Sequence, residues 1–252
     1  MTTALITGAS NGIGLEIARV LAPDHDLVLV ARNTAKLQSL AEELGGARVI
    51  SADLADVQAV AKIRAEVPEV DVLVNNAGVG DFGPFAEADL EKTLGMIQLN
   101  ITSLTALTRA YLPGMLERGS GRIMNLASTA SFQPGPLMAV YYATKAYVLS
   151  FTEAIAEETR GSGVTVTALC PGPTASGFQS AADMELSPLV ANKKLPTSAE
   201  VAAFGVKAMN RGDVVAVPGM LNKILAGSVR FAPRPVMRRV VHKMQATKPP
   251  KS

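Results

Sequence analysis

Residues 4–14 read Ala4-Leu5-Ile6-Thr7-Gly8-Ala9-Ser10-Asn11-Gly12-Ile13-Gly14. An apolar, strand-like run passes directly into a glycine-rich turn, and the turn opens a helical pattern that continues to about Leu21. Glycines let the backbone turn tightly and approach a ligand, while the helix N-terminus offers unpaired N–H groups and a partial positive charge to a pyrophosphate. The spacing is Gly-x-x-x-Gly-x-Gly, which departs from the Gly-x-Gly-x-x-Gly dinucleotide fingerprint, so a plain glycine-rich turn is the competing reading.

The same alternation of strand-like run and helical pattern recurs outward from this stretch. Candidate strands are Ala4 to Thr7, Leu27 to Ala31, Ala47 to Ser51, Val70 to Asn75, Arg122 to Leu126, Val164 to Cys170 and Val214 to Val217. This predicts an α/β, doubly wound Rossmann-type fold with a seven-stranded parallel sheet. With 252 residues, 48% of them hydrophobic and 18% charged, the chain can bury a full core in one α/β domain. The single cysteine, Cys170, lies in an apolar run and reads as a buried strand residue rather than a nucleophile. Two histidines and one cysteine make a zinc site improbable, and no metal is expected. The first strand begins too early to leave room for a signal sequence, and no apolar stretch approaches the ~18 to 20 residues of a membrane span. A soluble protein in the reducing cytoplasm is expected.

A second informative stretch runs from Ser128 to Lys145, STASFQPGPLMAVYYATK. Tyr141 and Lys145 stand four residues apart in a helical segment, which puts phenol and ammonium on one face. Bringing a phenol from about 10 to neutrality asks for roughly 4 kcal/mol. A unit charge ~4 Å away at an effective dielectric of ~20 supplies about that much, so Lys145 is expected to acidify Tyr141. Ser128 follows the apolar run Arg122 to Leu126, and its hydroxyl is expected at the C-terminal end of that strand, where doubly wound sheets bind ligands. Hydroxyl, phenol and lysine together suit a carbonyl: the first holds the oxygen, the second exchanges its proton and the third polarises the second. The hydride must come from a nicotinamide or flavin.

In order and approximate spacing, TGASNGIG (residues 7–14), Asn75-Asn76-Ala77-Gly78, Asn100, Ser128, Tyr141-x-x-x-Lys145 and Pro171-Gly172 resemble the short-chain dehydrogenase/reductase family in its compact single-domain branch. The resemblance covers about residues 3–218, leaving 219–252 as a basic amphipathic helical extension of the 1–218 catalytic domain. It implies a cofactor loop of Gly8, Ser10, Asn11, Gly12, Ile13 and Gly14, with Asp53 and Leu54 flanking the adenine. It also implies that Asn76, Ala77 and Gly78 lie near the adenine ribose, while Asn75 holds the sheet together. Asn100 would interrupt its helix and fix a water linking Lys145 to solvent, and Lys145 would also bind the nicotinamide ribose. Pro171, Gly172 and Thr174 would close over the nicotinamide, Thr174 at its carboxamide. Tyr142 competes with Tyr141 for the catalytic role, but only Tyr141 has the lysine at i+4.

The second strand ends Leu29-Val30-Ala31-Arg32-Asn33, without the acidic residue that would bind a ribose 2′-hydroxyl and with an arginine suited to a phosphate. NADP(H) is therefore expected ahead of NAD(H), which the sequence leaves open. Phe82, Phe85, Phe132, Met138, Phe178 and Met184 are expected around the carbonyl, favouring a hydrophobic ketone, aldehyde or secondary alcohol, and residues 175–197 read as a lid. A 3-oxoacyl thioester reductase and a non-catalytic dinucleotide sensor are the alternatives.

From Val214 to Ser252 there are eight Lys or Arg and no Asp or Glu, while residues 1–213 carry a net charge of −6. Apolar positions recur there at helical spacing, predicting two short helices separated by Pro233 and Pro235, with Lys248 to Ser252 frayed. Docking on the body or on a second subunit is the plainer reading, and a peripheral membrane contact the sharper one. Nucleic acid is not expected, as no groove-reading motif accompanies the charge. Family habit implies a homodimer or homotetramer.

Overall fold

The computed structural model of the protein describes residues 1–178 and 195–246. Its strands are β1 (Thr2–Thr7), β2 (His25–Ala31), β3 (Arg48–Ser51), β4 (Val72–Asn75), β5 (Gly121–Leu126), β6 (Val164–Leu169) and β7 (Val215–Ala216). All seven are parallel and form one sheet in the order 3-2-1-4-5-6-7. Adjacent residues of a strand point to opposite faces, yet Leu5 and Ile6 are both 0% exposed. Both faces of β1 are therefore covered, which is why the strands read as continuous apolar runs rather than alternating ones.

The covering helices are α1 (Gly12–Leu21), α2 (Thr34–Glu43), α3 (Ala59–Glu66), α4 (Leu90–Ile97), α5 (Leu104–Arg118), α6 (Ala139–Glu158) and α7 (Ser198–Arg211). Ile17 of α1, Leu37 of α2 and Val206 of α7 pack with Ile6 and Leu29 on one face. On the other, Ile63 of α3 and Leu107 and Met115 of α5 pack with Leu5, Val30 and Ile123. Each such side chain contributes about 1.5–3 kcal/mol through burial.

The strand order reverses where β1 and β4 pair, Ala4 opposite Val72 and Ile6 opposite Val74. Connections leave this point in opposite directions and open a crevice at the C-terminal ends of the strands. Thr7, Asn75 and Asn76 stand at its floor: Asn76 N and Ala77 N donate to Thr7 Oγ1 (both 3.0 Å), and Asn75 Nδ2 donates to Asn125 Oδ1 (2.9 Å) and Thr108 Oγ1 (3.1 Å). Cys170 follows β6 and is fully buried, and burial pushes its thiol up to about 12.

After β7 the chain forms α8 (Met220–Ser228) and α9 (Arg234–Gln245). The break falls at Val229–Pro233, while Pro235 lies inside the first turn of α9 rather than between the helices. Proline is tolerated there because that N–H has no partner within the helix. The expected frayed end, Lys248 to Ser252, lies outside the described residues.

Candidate active site

Ser128 caps the 3-10 turn Thr129–Phe132 beyond β5, its Oγ accepting from Ala130 N (3.1 Å). Ser131 closes the capping box and its Oγ donates to Lys145 O (2.7 Å), joining this turn to α6. The Ser128 hydroxyl donates to Pro171 O (3.4 Å) and lies close enough to the Tyr141 phenol to favour its ionised form. Lys145 Nζ lies 5.9 Å from the Tyr141 ring centroid and donates to Leu126 O (2.5 Å). Leu137, two residues before α6, takes the left-handed conformation (φ 68°) that a bulky side chain rarely adopts. Its carbonyl accepts from Gly83 N (2.8 Å), so the 82–84 loop is tied to the start of α6 at a strained residue.

Between α4 and α5 the chain runs as a π-helical segment, Gln98–Ser103, and Asn100 sits inside it, fully buried. The wider turn is the helix interruption expected of Asn100. Its Oδ1 accepts from Val79 N (3.0 Å), and its Nδ2 donates to Val79 O (2.9 Å) and Thr144 Oγ1 (3.1 Å). A Cβ built on Gly78 would come within 3.2 Å of Asn100 Oδ1 and 3.5 Å of Lys145 Nζ. Asn100, Lys145, Tyr141 and Ser128 thus gather along one side of the crevice.

The electrostatics correct one expectation. Burial pushes the Tyr141 phenol up to about 12, with the Ser128 hydroxyl as the main opposing influence, so Tyr141 is not acidified in the free protein. Burial also lowers Lys145 to about 8. The i,i+4 spacing does bring the pair together, but the ammonium turns to the Leu126 carbonyl and stands over the ring. Desolvation of the phenolate then outweighs the help it receives from Ser128.

At the cofactor end, Asn11 caps α1 and accepts from Gly12 N (2.8 Å). Two of the three loop glycines serve the protein's own packing. A Cβ on Gly8 or Gly14 would lie 2.7 Å or 2.3 Å from Asn76 Nδ2, which donates to the carbonyls of Thr7 (2.9 Å) and Gly8 (3.2 Å). Asn76 is therefore a tie on the glycine loop. Gly12 (φ 58°) faces Ser176 instead, 3.3 Å from its built Cβ to the serine Cβ. Ser10 and Ile13 flank this turn, both half-buried. Arg32, exposed after β2, pairs with Asp53 at 3.9 Å, so the two residues expected around the adenosine end meet each other. Leu54 is a core residue whose carbonyl accepts from Ser103 Oγ. Pro171 O accepts from Thr129 N (2.9 Å), and buried Thr174 Oγ1 donates to Gly172 O (2.9 Å).

The expected pocket residues separate into two groups. Phe82, Met138 and Phe178 cluster with Tyr141 and Tyr142, the Phe178 and Tyr141 ring centroids being 5.3 Å apart. Phe132 instead packs with Leu104, Ala127 and Val148 in the core behind the site, and Phe85 is 65% exposed. The 3-10 turn directs Phe132 away from Tyr141, and a short surface turn carries Phe85 outward. Met184 and most of the expected lid lie outside the described residues. The lid's described ends meet, Ala175 N donating to Pro196 O (2.8 Å). Sequence reasoning missed the contribution of α9: Met237 and Val241 join the cluster, and buried Gln245 Nε2 donates to Tyr142 OH (2.6 Å). The i, i+4, i+8 spacing of these three was the available signal.

The profile of the short chain dehydrogenase family matches residues 2–186. The ketoacyl reductase HetN of Nostoc sp. is 37% identical over 180 residues, covering 68% of this chain. The match spans 62% of that relative, less than two thirds of its length. A short-chain dehydrogenase from Sphingobium yanoikuyae, solved in complex with NADPH, is 31% identical with a TM-score of 0.82 over 92% of this chain and 94% of its own. The bulky-bulky ketone specific alcohol dehydrogenase from Comamonas testosteroni is 28% identical with a TM-score of 0.78 over 93% and 96% of the two chains.

Proposed function

The chain belongs to the short-chain dehydrogenase family, and from that premise we propose that it is an NADP(H)-dependent oxidoreductase acting on a hydrophobic ketone, aldehyde or secondary alcohol. The observation that carries this reading is the convergence of Ser128, Tyr141, Lys145 and Asn100 on one side of the crevice between β1 and β4.

A nicotinamide dinucleotide fits the residues present. Glycine at position 78 keeps clear the space before Asn100 and Lys145 that a side chain would fill, and Gly12 opens the N-terminal turn of α1. In this reading Ser10, Asn11, Gly12 and Ile13 hold the pyrophosphate and Arg32 a 2′-phosphate. Asp53, with the backbone of Leu54, Ala77 and Gly78, borders the adenosine. Lys145 holds the nicotinamide ribose and Thr174 the carboxamide, beside Pro171 and Gly172. When bound, the cofactor supplies or accepts the hydride.

Ser128 holds the carbonyl oxygen and Tyr141 gives it a proton. A phenol held near 12 is fully protonated at neutral pH, which suits carbonyl reduction. The Lys145 ammonium over the ring then stabilises the phenolate left behind. Asn100 Oδ1, with one acceptor position beyond its bond to Val79 N, would hold the water that returns a proton. The apolar cluster of Phe82, Met138, Phe178 and Met237 around Tyr141 favours a greasy carbonyl, in keeping with the bulky ketones of the Comamonas enzyme. A second reading, reduction of a 3-oxoacyl thioester, is favoured by the ketoacyl reductase relative. A reducing compartment suits the lone buried cysteine, and a homo-oligomer is the expected assembly.

NADPH consumption, with NADH in parallel, tests the reading against ketones graded in size and a 3-oxoacyl thioester. Turnover that prefers NADPH and rises with apolar bulk is expected. Preference for the thioester selects the second reading, and cofactor binding without turnover on any carbonyl contradicts both.

A further inference from the structure

Helix α8 is built inside out for a helix facing water. Its inner side carries Ala226, buried, and Asn222, whose Nδ2 donates to Pro218 O (2.9 Å) and which packs against Gly172. Its outer side carries Met220, Leu221, Ile224 and Leu225, at spacings that share one face and between 52% and 74% exposed. Phe231, just beyond, is 90% exposed. Helix α9 divides its apolar residues between two faces. Met237, Val241 and Gln245 turn toward the tyrosines, while Val236, Val240 and Met244 turn outward.

Lys223, Arg230 and Arg234 are exposed around these apolar residues, as are Arg238, Arg239 and Lys243 on α9. No acidic residue follows Asp213 in the sequence. Arg238, Arg239 and His242 line a cleft of about 270 Å³ with Pro136 and Pro235. The surface thus combines protruding apolar side chains with a cationic recess.

We propose that α8 and α9 form a docking surface for an anionic phospholipid membrane, with the α8 side chains and Phe231 entering the acyl boundary and the α9 arginines engaging headgroup phosphates. A two-fold contact between copies through this face would set like charges against each other, whereas anionic lipid meets both the charge and the apolar face. No helix among the described residues is long and apolar enough to cross a membrane, so the contact is peripheral. The proposal does not depend on the activity. Its link to the site is α9, whose inner face bonds Tyr142 and whose outer face would lie on lipid.

The test is co-sedimentation of the full chain with vesicles of phosphatidylcholine alone and of phosphatidylcholine mixed with phosphatidylglycerol, with light scattering of the free protein. Binding to the mixed vesicles that falls with added salt is expected. Arg238→Gln with Arg239→Gln should weaken it by about thirtyfold, roughly fivefold per cation. Leu221→Glu with Ile224→Glu should abolish it while leaving NADPH binding and the oligomeric state of the free protein unchanged. Absence of vesicle binding, or equal binding by the arginine variant, overturns the proposal. So does a change of oligomeric state in the Leu221/Ile224 variant, which would assign the face to a second copy of the chain.

Discussion

Lys145 Nζ donates a 2.5 Å hydrogen bond to the carbonyl of Leu126, the last residue of β5. A buried ammonium is thereby held by a neutral acceptor, and burial lowers it to about 8. The folded protein binds this proton more weakly than the unfolded chain, whose lysine titrates at 10.5. Below about pH 8 the charged side chain costs the fold; that cost is relieved as pH rises from about 8 to 10.5.

Lys145→Met should therefore make the cofactor-free protein more stable at pH 7. The expected gain is of order 2 kcal/mol, from about 1.36 kcal/mol per pKa unit less about 1 kcal/mol for the lost hydrogen bond. The gap to wild type should narrow from about pH 8 upward in urea titrations. Turnover should fall by about 10²- to 10⁴-fold. In wild type, carbonyl reduction should be flat with pH to about 8 and decline above it, as the cation opposite the phenolate is lost.

From the π-helical segment Asn100 makes three hydrogen bonds to other parts of the chain, two to Val79 and one to Thr144. Asn100→Ala should cost about 2–4 kcal/mol in chemical denaturation, since it leaves the half-buried Val79 backbone and the buried Thr144 hydroxyl without these bonds. A loss below about 0.5 kcal/mol would mean that these bonds do not hold the Gly78–Val79 segment.

Arg32 and Asp53 are 3.9 Å apart and both exposed, a pair worth about 0–1 kcal/mol. Arg32→Ala should raise the KM for NADPH by about tenfold or more and that for NADH by less than about twofold. Asp53→Asn should lower the KM for NADPH slightly by releasing the guanidinium. Equal losses for both coenzymes in Arg32→Ala would remove Arg32 from the phosphate site.

Phe178 meets the Tyr141 ring at 5.3 Å, tilted by 45°. Phe178→Ala should raise kcat/KM for bulky cyclic ketones relative to small ones by about tenfold or more, since an apolar pocket discriminates by about 1–3 kcal/mol per methylene of fit. An unchanged ratio would take Phe178 out of the substrate's path.

The strands were legible because buried parallel strands leave long apolar runs bounded by turn residues, and Val28 or Val74 needs no partner's name to be read as core. The approach of Tyr141 to Lys145 was legible because i,i+4 neighbours meet on any helix. The sign of the phenol's shift was not, since it depends on what surrounds the hydroxyl and on where Nζ turns. Contacts between distant residues were also hidden. Gly14 needs its hydrogen side chain because Asn76 reaches back to the loop, and Gln245 closes on Tyr142 across 103 residues of sequence. Phe85 and Phe132 differ from Phe82 only in where short turns aim them, which composition does not encode.

Tyr141 carries the proton in the proposed reaction, and Tyr141→Phe removes only the hydroxyl that does so. Turnover of NADPH with a reactive ketone and NADPH binding by fluorescence should be measured on the same preparation. The expected result is a fall in turnover of at least about 10³-fold with cofactor affinity changed less than about twofold. Turnover within about tenfold of wild type would contradict the account and transfer the role to another proton donor, Tyr142 first among them.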